Sequence, residues 1–219
     1  MNTKIPPQLT LLFLIFSIVY CALSFFSHPV PLEWAIKILP ILLLILVSIT
    51  QFKKVPDGKL KLFIIGLLFC MGGDIFLAVD RENLFVFGLG SFLIGHLFYI
   101  SAMLPIAKKN GLGLFGLIIY GAAMMSLLIP NLAALFVPVV IYMLVLLLMT
   151  ATSMTSTKSN IALMIGGISF AVSDSLIGID KFYSEIPHAG LWIMITYYLA
   201  QYSLTYGFLQ SHSELKTES

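Results

Sequence analysis

Charge is scarce in this sequence. Only 10% of its 219 residues are Asp, Glu, Lys or Arg, against about 25% in an average soluble domain. Cysteine is scarcer still. Cys21 and Cys70 each fall inside an apolar run. Two isolated thiols make neither a disulfide framework nor a metal site, so both are read as packing residues. Of His28, His96, His188 and His212, only His96 lies in an apolar run; the others fall in loops or the tail. One buried histidine with scattered acids builds no zinc site, and no metal or other cofactor is expected. Gly-x-Ser-x-Gly and His-Glu-x-x-His are missing too, which removes the serine-elbow and zinc-helix hydrolases.

What is present is apolar. Hydrophobic residues make up 59% of the chain. One soluble core of this length could not hide that much apolar surface. The composition excludes a soluble enzyme, a disordered tail and a nucleic-acid binder. It predicts a polytopic membrane protein, with 17 Phe and 9 Tyr at lipid-facing and interfacial positions.

A spanning helix needs about 20 mainly apolar residues, and lipid offers the backbone no hydrogen-bond partners. The apolar runs are long and do not alternate, so they are helical. Eight are expected, at 8–26, 32–51, 60–79, 84–105, 112–129, 131–151, 160–179 and 189–209. Ile129-Pro130-Asn131 is the only break between spans five and six, a tight turn. The first run follows Lys4 but lacks a small-x-small cleavage site, and Tyr20 before Cys21 spoils a lipobox. It is therefore taken as a span rather than a signal peptide. Eight spans put both termini on one side with Lys4, Lys53, Lys54, Lys59, Lys61, Lys108, Lys109, Lys158 and Lys216; the other side holds Lys37, Arg81 and Lys181. Positive residues stay cytoplasmic, so both termini are expected in the cytoplasm, with the chain in a bacterial inner or plasma membrane.

The chain also repeats itself. Gly66, Asp74, Asp80 and Arg81 are matched by Gly166, Asp174, Asp180 and Lys181, each 100 positions later. The pattern predicts one all-α membrane domain over 1–219 made of two four-helix units, 1–108 and 109–219. An even number of spans per unit makes the repeats parallel.

Two acids fall within spans, Asp74 in span three and Asp174 in span seven. A charge at membrane depth costs about 2.5–3.5 kcal/mol on insertion scales and marks function by default. Each sits about five residues before the expected end of its span, roughly 8 Å inside the same boundary. Lys37 enters span two from that side to the same level. It is placed to snorkel, to pair with an Asp or to bind a lipid phosphate. Deeper lie His96 and Tyr99 in span four, and Tyr197, Tyr198 and Gln201 in span eight. Clustered glycines, among them Gly72, Gly73, Gly95 and Gly166, let spans three, four, seven and eight approach closely. A pocket among spans two, three, four, seven and eight is expected.

Gly72-Gly73-Asp74, the Phe92–His96–Tyr99 segment, Ser173-Asp174, Lys181-Phe182 and Tyr197-Tyr198-Leu199-Ala200-Gln201 together resemble the YhhN-like family, which contains the lysoplasmalogenases. The similarity runs from about Lys37 to Gln201. In one departure, Pro40 follows Lys37 by three residues, where the family often has Pro directly after Lys. The resemblance implies an eight-span helical fold and hydrolysis of the sn-1 vinyl ether bond of lysoplasmalogens. The products would be a fatty aldehyde and a glycerophospho-base. It also implies that Asp74 and Asp174 are the essential acids. The other intramembrane polar residues, Lys37, His96, Tyr99, Tyr197, Tyr198 and Gln201, are candidates to bind the lysophospholipid.

The chemistry suits that implication. A vinyl ether hydrolyses by protonation at its β-carbon, giving an oxocarbenium ion that water traps. The reaction needs a positioned acid and a carboxylate, as in the carboxylate pairs of glycosidases. A proton-coupled transporter is the alternative, because intramembrane acids also serve as proton relays.

Overall fold

The computed structural model describes residues 5–26, 33–106 and 110–214. Lys4, Lys108, Lys109 and Lys216 of the charge argument lie outside the described residues, as do His28 and the side chain of His212.

Among the described residues eight α-helices follow one another: α1 (Pro7–Phe26), α2 (Glu33–Lys54), α3 (Gly58–Val79), α4 (Phe85–Met103), α5 (Gly111–Leu128), α6 (Phe136–Thr155), α7 (Ile161–Phe182) and α8 (Ala189–Glu214). Local chemistry explains several starts. Asp57 Oδ1 accepts from the amides of Lys59 and Leu60 at 2.7 and 3.1 Å, capping α3. Asn110 and Asn160 cap α5 and α7 in the same way, each accepting from the amide three residues on at 3.0 Å. Such caps satisfy amides that have no partner in the first turn. Between α3 and α4, Asp80 bonds the side chain and amide of Asn83 and the amide of Glu82. The Asn83 side chain above all holds the Asp80 carboxyl below the usual carboxylate range. Two 3₁₀ turns, Ile129–Asn131 and Ala133–Leu135, separate α5 from α6. The expected break at Pro130 is there, and it runs four residues longer than the sequence suggested.

Among the described residues seven helices, α1 to α7, are long and apolar enough to cross a membrane, and the protein is a multi-pass membrane protein. α8 is the longest helix, at 26 residues, but falls short of that apolarity. It carries Tyr197, Tyr198, Gln201, Tyr202, Ser203, Thr205 and Tyr206. It also runs to Glu214, beyond the expected end at 209, which draws His212 into the helix.

The helices pack in a patterned way. α3 lies along α4 as α7 lies along α8; α2 packs on α3 as α6 packs on α7. α1 lies on α2 as α5 lies on α6, and α4 meets α6 as α8 meets α2. Exchanging each helix with the one four places on carries these contacts into one another. The contacts of α1 with α8 and α5 with α7 are where the halves differ. Glycine sets the closest approach: a Cβ on Gly66 would stand 2.6 Å from the Tyr99 ring. The main core joins α1–α4 to α6–α8, with Phe63, Leu67, Tyr99, Phe170 and Phe208 fully buried. Met124, Leu128, Leu132, Val139 and Met143 form a smaller cluster under α5 and α6.

Candidate active site

The two intramembrane carboxylates have different surroundings. Asp74, near the end of α3, is 2% exposed. Lys37 of α2 reaches it with Nζ 3.5 Å from Oδ1, and the same Nζ lies 3.4 Å from the Asp74 carbonyl oxygen. From α8, the Tyr197 hydroxyl donates to Asp74 Oδ2 at 2.5 Å. Gln201, one turn on, donates from Nε2 to the Tyr197 hydroxyl oxygen at 3.1 Å and accepts from the Tyr99 hydroxyl at 2.7 Å. Tyr198 donates to the Lys37 carbonyl at 2.8 Å. Five of the expected residues, Lys37, Tyr99, Tyr197, Tyr198 and Gln201, thus gather round Asp74.

Asp174 stands apart from that network. It is partly exposed and accepts a short hydrogen bond at Oδ2 from Tyr142 of α6. Among the described residues no cation forms an ion pair with it. α7 continues to Phe182, so Asp174 lies eight residues from its helix end, against five for Asp74. The carboxylate lines a cavity with an empty volume of about 670 Å³. Its walls are apolar, with Leu77, Leu89, Phe92, Met124, Leu146 and Ile177 among them. Tyr120 also lines it, with its hydroxyl bonded to Ser175 and, at 3.1 Å, to the Ala171 carbonyl. The expected pocket therefore draws on α5 and α6, which the sequence did not indicate.

A second, more polar cavity of about 1020 Å³ adjoins the first. Lys37, Glu33, Arg81, Tyr20 and Ser24 line it, and Leu77 and Ile177 line both cavities. Those two residues are themselves 100 positions apart. Arg81 Nη2 bonds Asp180 Oδ2 at 3.0 Å beside this vestibule.

Aromatic rings fill the space between the carboxylates. Tyr197 lies 5.5 Å from Phe170, Phe170 lies 4.6 Å edge-on to His96, and His96 lies 5.6 Å from Tyr142, centroid to centroid. His96 is fully buried, and among the described residues neither of its ring nitrogens has a hydrogen-bond partner. Phe92 connects the layers. It lines the apolar cavity, lies 5.9 Å from the Tyr197 ring, and packs where a Cβ on Gly73 would come within 2.6 Å. Asp74 and its tyrosine thus lie one ring behind the cavity wall. Neither Asp74, His96, Tyr99, Tyr197 nor Gln201 lines either cavity; Tyr198 borders a shallow apolar groove between α1 and α8.

Sequence reasoning missed Tyr142, Tyr120 and Glu33. Tyr142 is the one tyrosine in an otherwise apolar run, and Glu33 precedes Lys37 by four residues, a spacing that puts both on one helix face. Those were the available signals.

The model of the YhhN family matches residues 32–208. The chain belongs to the YhhN family. It is 31% identical to the Lysoplasmalogenase of Mycobacterium bovis over 163 residues, which cover 70% of this chain and 62% of that protein. This YhhN-family chain thus spans less than two thirds of the mycobacterial relative's length. It is 29% identical to Lysoplasmalogenase TMEM86A of Homo sapiens over 204 residues, 87% of this chain and 83% of the relative. With Lysoplasmalogenase TMEM86B of Homo sapiens it shares 32% over 158 residues, 71% of this chain and 67% of the relative. No solved structure matches it.

Proposed function

We propose that this protein is a hydrolase that cleaves the sn-1 vinyl ether bond of lysoplasmalogens, releasing a fatty aldehyde and a glycerophospho-base. The observation that carries the reading is Asp174, a carboxyl lining an apolar cavity that adjoins a charged vestibule. A lysolipid has the same division, an apolar chain joined to a charged headgroup with the cleavable bond between them. The relatives' names support it as well. They give no support to a proton-coupled transporter.

The chain lies in the apolar cavity, the headgroup in the vestibule, and the ether bond beside Leu77 and Ile177. Asp174, facing no cation, gives its proton to the β-carbon of the vinyl ether. The resulting oxocarbenium ion is attacked by water at the carbon bearing oxygen. The proton that water sheds returns to the Asp174 carboxylate, and the hemiacetal collapses to aldehyde and alcohol. Tyr142 holds the carboxyl in place. Asp74, kept as an anion by Lys37, supplies fixed negative charge behind the cavity wall, where low dielectric strengthens its pull on the cation. Tyr99, Tyr197, Tyr198 and Gln201 are positioning residues for that pair, and His96 fills the layer between the carboxylates.

The same reading makes α8 an eighth crossing, with both termini cytoplasmic and the vestibule facing outward. The 1–219 domain is then two parallel four-helix units, as the exchange of helix contacts suggests.

Incubation of the purified protein with lysoplasmenylethanolamine and with its ester analogue tests the activity. Aldehyde should form from the vinyl ether only. Fatty acid from the ester, or no product from either, would overturn the reading.

A further inference from the structure

Glu33 and Lys37 share one face of α2, four residues apart. An acid placed so ahead of a lysine ordinarily pairs with it. Here the lysine turns inward instead, with its Nζ 3.5 Å from Asp74. Arg81 also has an acid of its own, Asp180. Glu33 is therefore the charge in excess among the vestibule-lining side chains. Its contact is the Tyr20 hydroxyl, which donates to Oε1 at 2.9 Å, and among the described residues it has no ion pair. Tyr20 is 4% exposed, so the hydroxyl that orients the carboxylate is itself locked in the α1–α2 packing. A fixed carboxylate that lines an open cavity and has no ion pair among the described residues invites a cation.

We propose that Glu33, oriented by Tyr20, is the binding site for an organic ammonium, the amine of the lysolipid headgroup. The proposal rests on the hydrolase reading for its substrate class. The spacing fits. On a helix the Cβ atoms of residues i and i+4 stand about 5–6 Å apart, on the scale of the reach from phosphate to nitrogen in a phosphoethanolamine. With the ammonium at Glu33, the phosphate falls beside Lys37 and the exposed edge of Arg81. A guanidinium held by Asp180 through one nitrogen keeps further donors for it. A carboxylate with an aromatic ring beside it accepts a primary or a quaternary amine. Glu33 thus selects a headgroup that bears an amine over one that ends in phosphate.

The test compares two vinyl ether substrates that differ in the aminoethyl group of the headgroup, alkenyl-lysophosphatidylethanolamine and alkenyl-lysophosphatidic acid. The wild type should favour the first in kcat/KM. Glu33→Gln should lower that preference about tenfold, the scale of one lost charged hydrogen bond. Glu33→Asp, which keeps the charge, should restore most of it and shows that the helix start tolerates change. An equal loss on both substrates would make Glu33 structural and overturn the proposal, as would an unchanged ratio or a wild type without preference. If the wild type cleaves neither substrate, the hydrolase reading fails on its own. Thermal stabilisation by ester lysophosphatidylethanolamine and by lysophosphatidic acid then decides the site. Loss of the amine preference in Glu33→Gln sustains it, and a preference that survives, or none in the wild type, overturns it.

Discussion

Lys37 lies 3.5 Å from the carboxylate of Asp74 and 3.4 Å from the backbone carbonyl of the same residue, with both side chains buried. Asp174 has a tyrosine hydroxyl in the corresponding place. Two carboxylates related by 100 positions in the chain therefore differ in their partners, one facing an ammonium and a tyrosine and the other a tyrosine alone, and the proposed mechanism divides their roles accordingly.

Removing the ammonium should unsettle the fold as well as the chemistry. Lys37→Met leaves Asp74 as a buried charge without its partner, a loss on the order of 3–5 kcal/mol. Adding Asp74→Asn should recover most of the thermal stability and none of the turnover. Melting of the single and double variants in detergent, with an aldehyde assay alongside, checks both halves. A double variant no more stable than Lys37→Met would show that the pair is not coupled.

Asp174→Asn should lower kcat by at least about 100-fold, since general acid–base groups typically contribute 10²–10⁴. Asn retains the size and the Tyr142 contact but cannot give a carboxyl proton. Asp74→Asn should also be severe, and the double variant little worse than the poorer single one, because the two act as a unit. Activity above about a tenth of wild type in Asp174→Asn, well short of that range, would end the proposed mechanism.

Tyr142→Phe removes one hydrogen bond to Asp174 and no ring. A hydrogen bond to a charged group contributes about 1.5–3 kcal/mol, so kcat should fall about 10- to 100-fold while the melting temperature moves little. Single-turnover measurements separate this from a change in binding. A shift in KM alone would place Tyr142 with the substrate rather than with the acid.

Gly73→Ala adds a methyl 2.6 Å from the Phe92 ring. Overpacking of this kind costs about 1–3 kcal/mol, and here the ring that must move is a wall of the apolar cavity. Lower stability and poorer use of long-chain substrates should appear together. Stability loss without any change in chain-length preference would mean that Phe92 does not bound the chain site.

A reporter fused after Ser219 should read as cytoplasmic, and one inserted between α7 and α8 as external. Matching readings from the two would mean that α8 does not cross.

Helix positions were legible because lipid demands long apolar runs. The Asp74 surroundings were partly legible too, since Lys37, Tyr197 and Gln201 are conspicuous in spans that otherwise lack polar groups. Asp174 was harder. Spacing along a helix gives depth but not the direction a side chain faces, and its partner, Tyr142, sits in a run with no other polar mark near it. Glu33 had only its four-residue step to Lys37 as a mark, a pattern shared with ordinary helix-surface pairs; the inward turn of Lys37 depends on where α3 lies. The cavity under α5 and α6 has no sequence mark at all, as it is space left between large apolar side chains.

The polarity of α8 bears on how the protein is made. Tyr197, Tyr198 and Gln201 find partners on other helices, so in hydrocarbon outside the bundle they would lack those partners. If α8 crosses as proposed, its entry into the bilayer is conditional on helices already there. Until then Asp74 has Lys37 but no tyrosine. A nascent chain paused before Ala189 would carry both acids and lack the α8 tyrosine that bonds the first of them, so under the proposed mechanism the site is completed by the docking of a single helix.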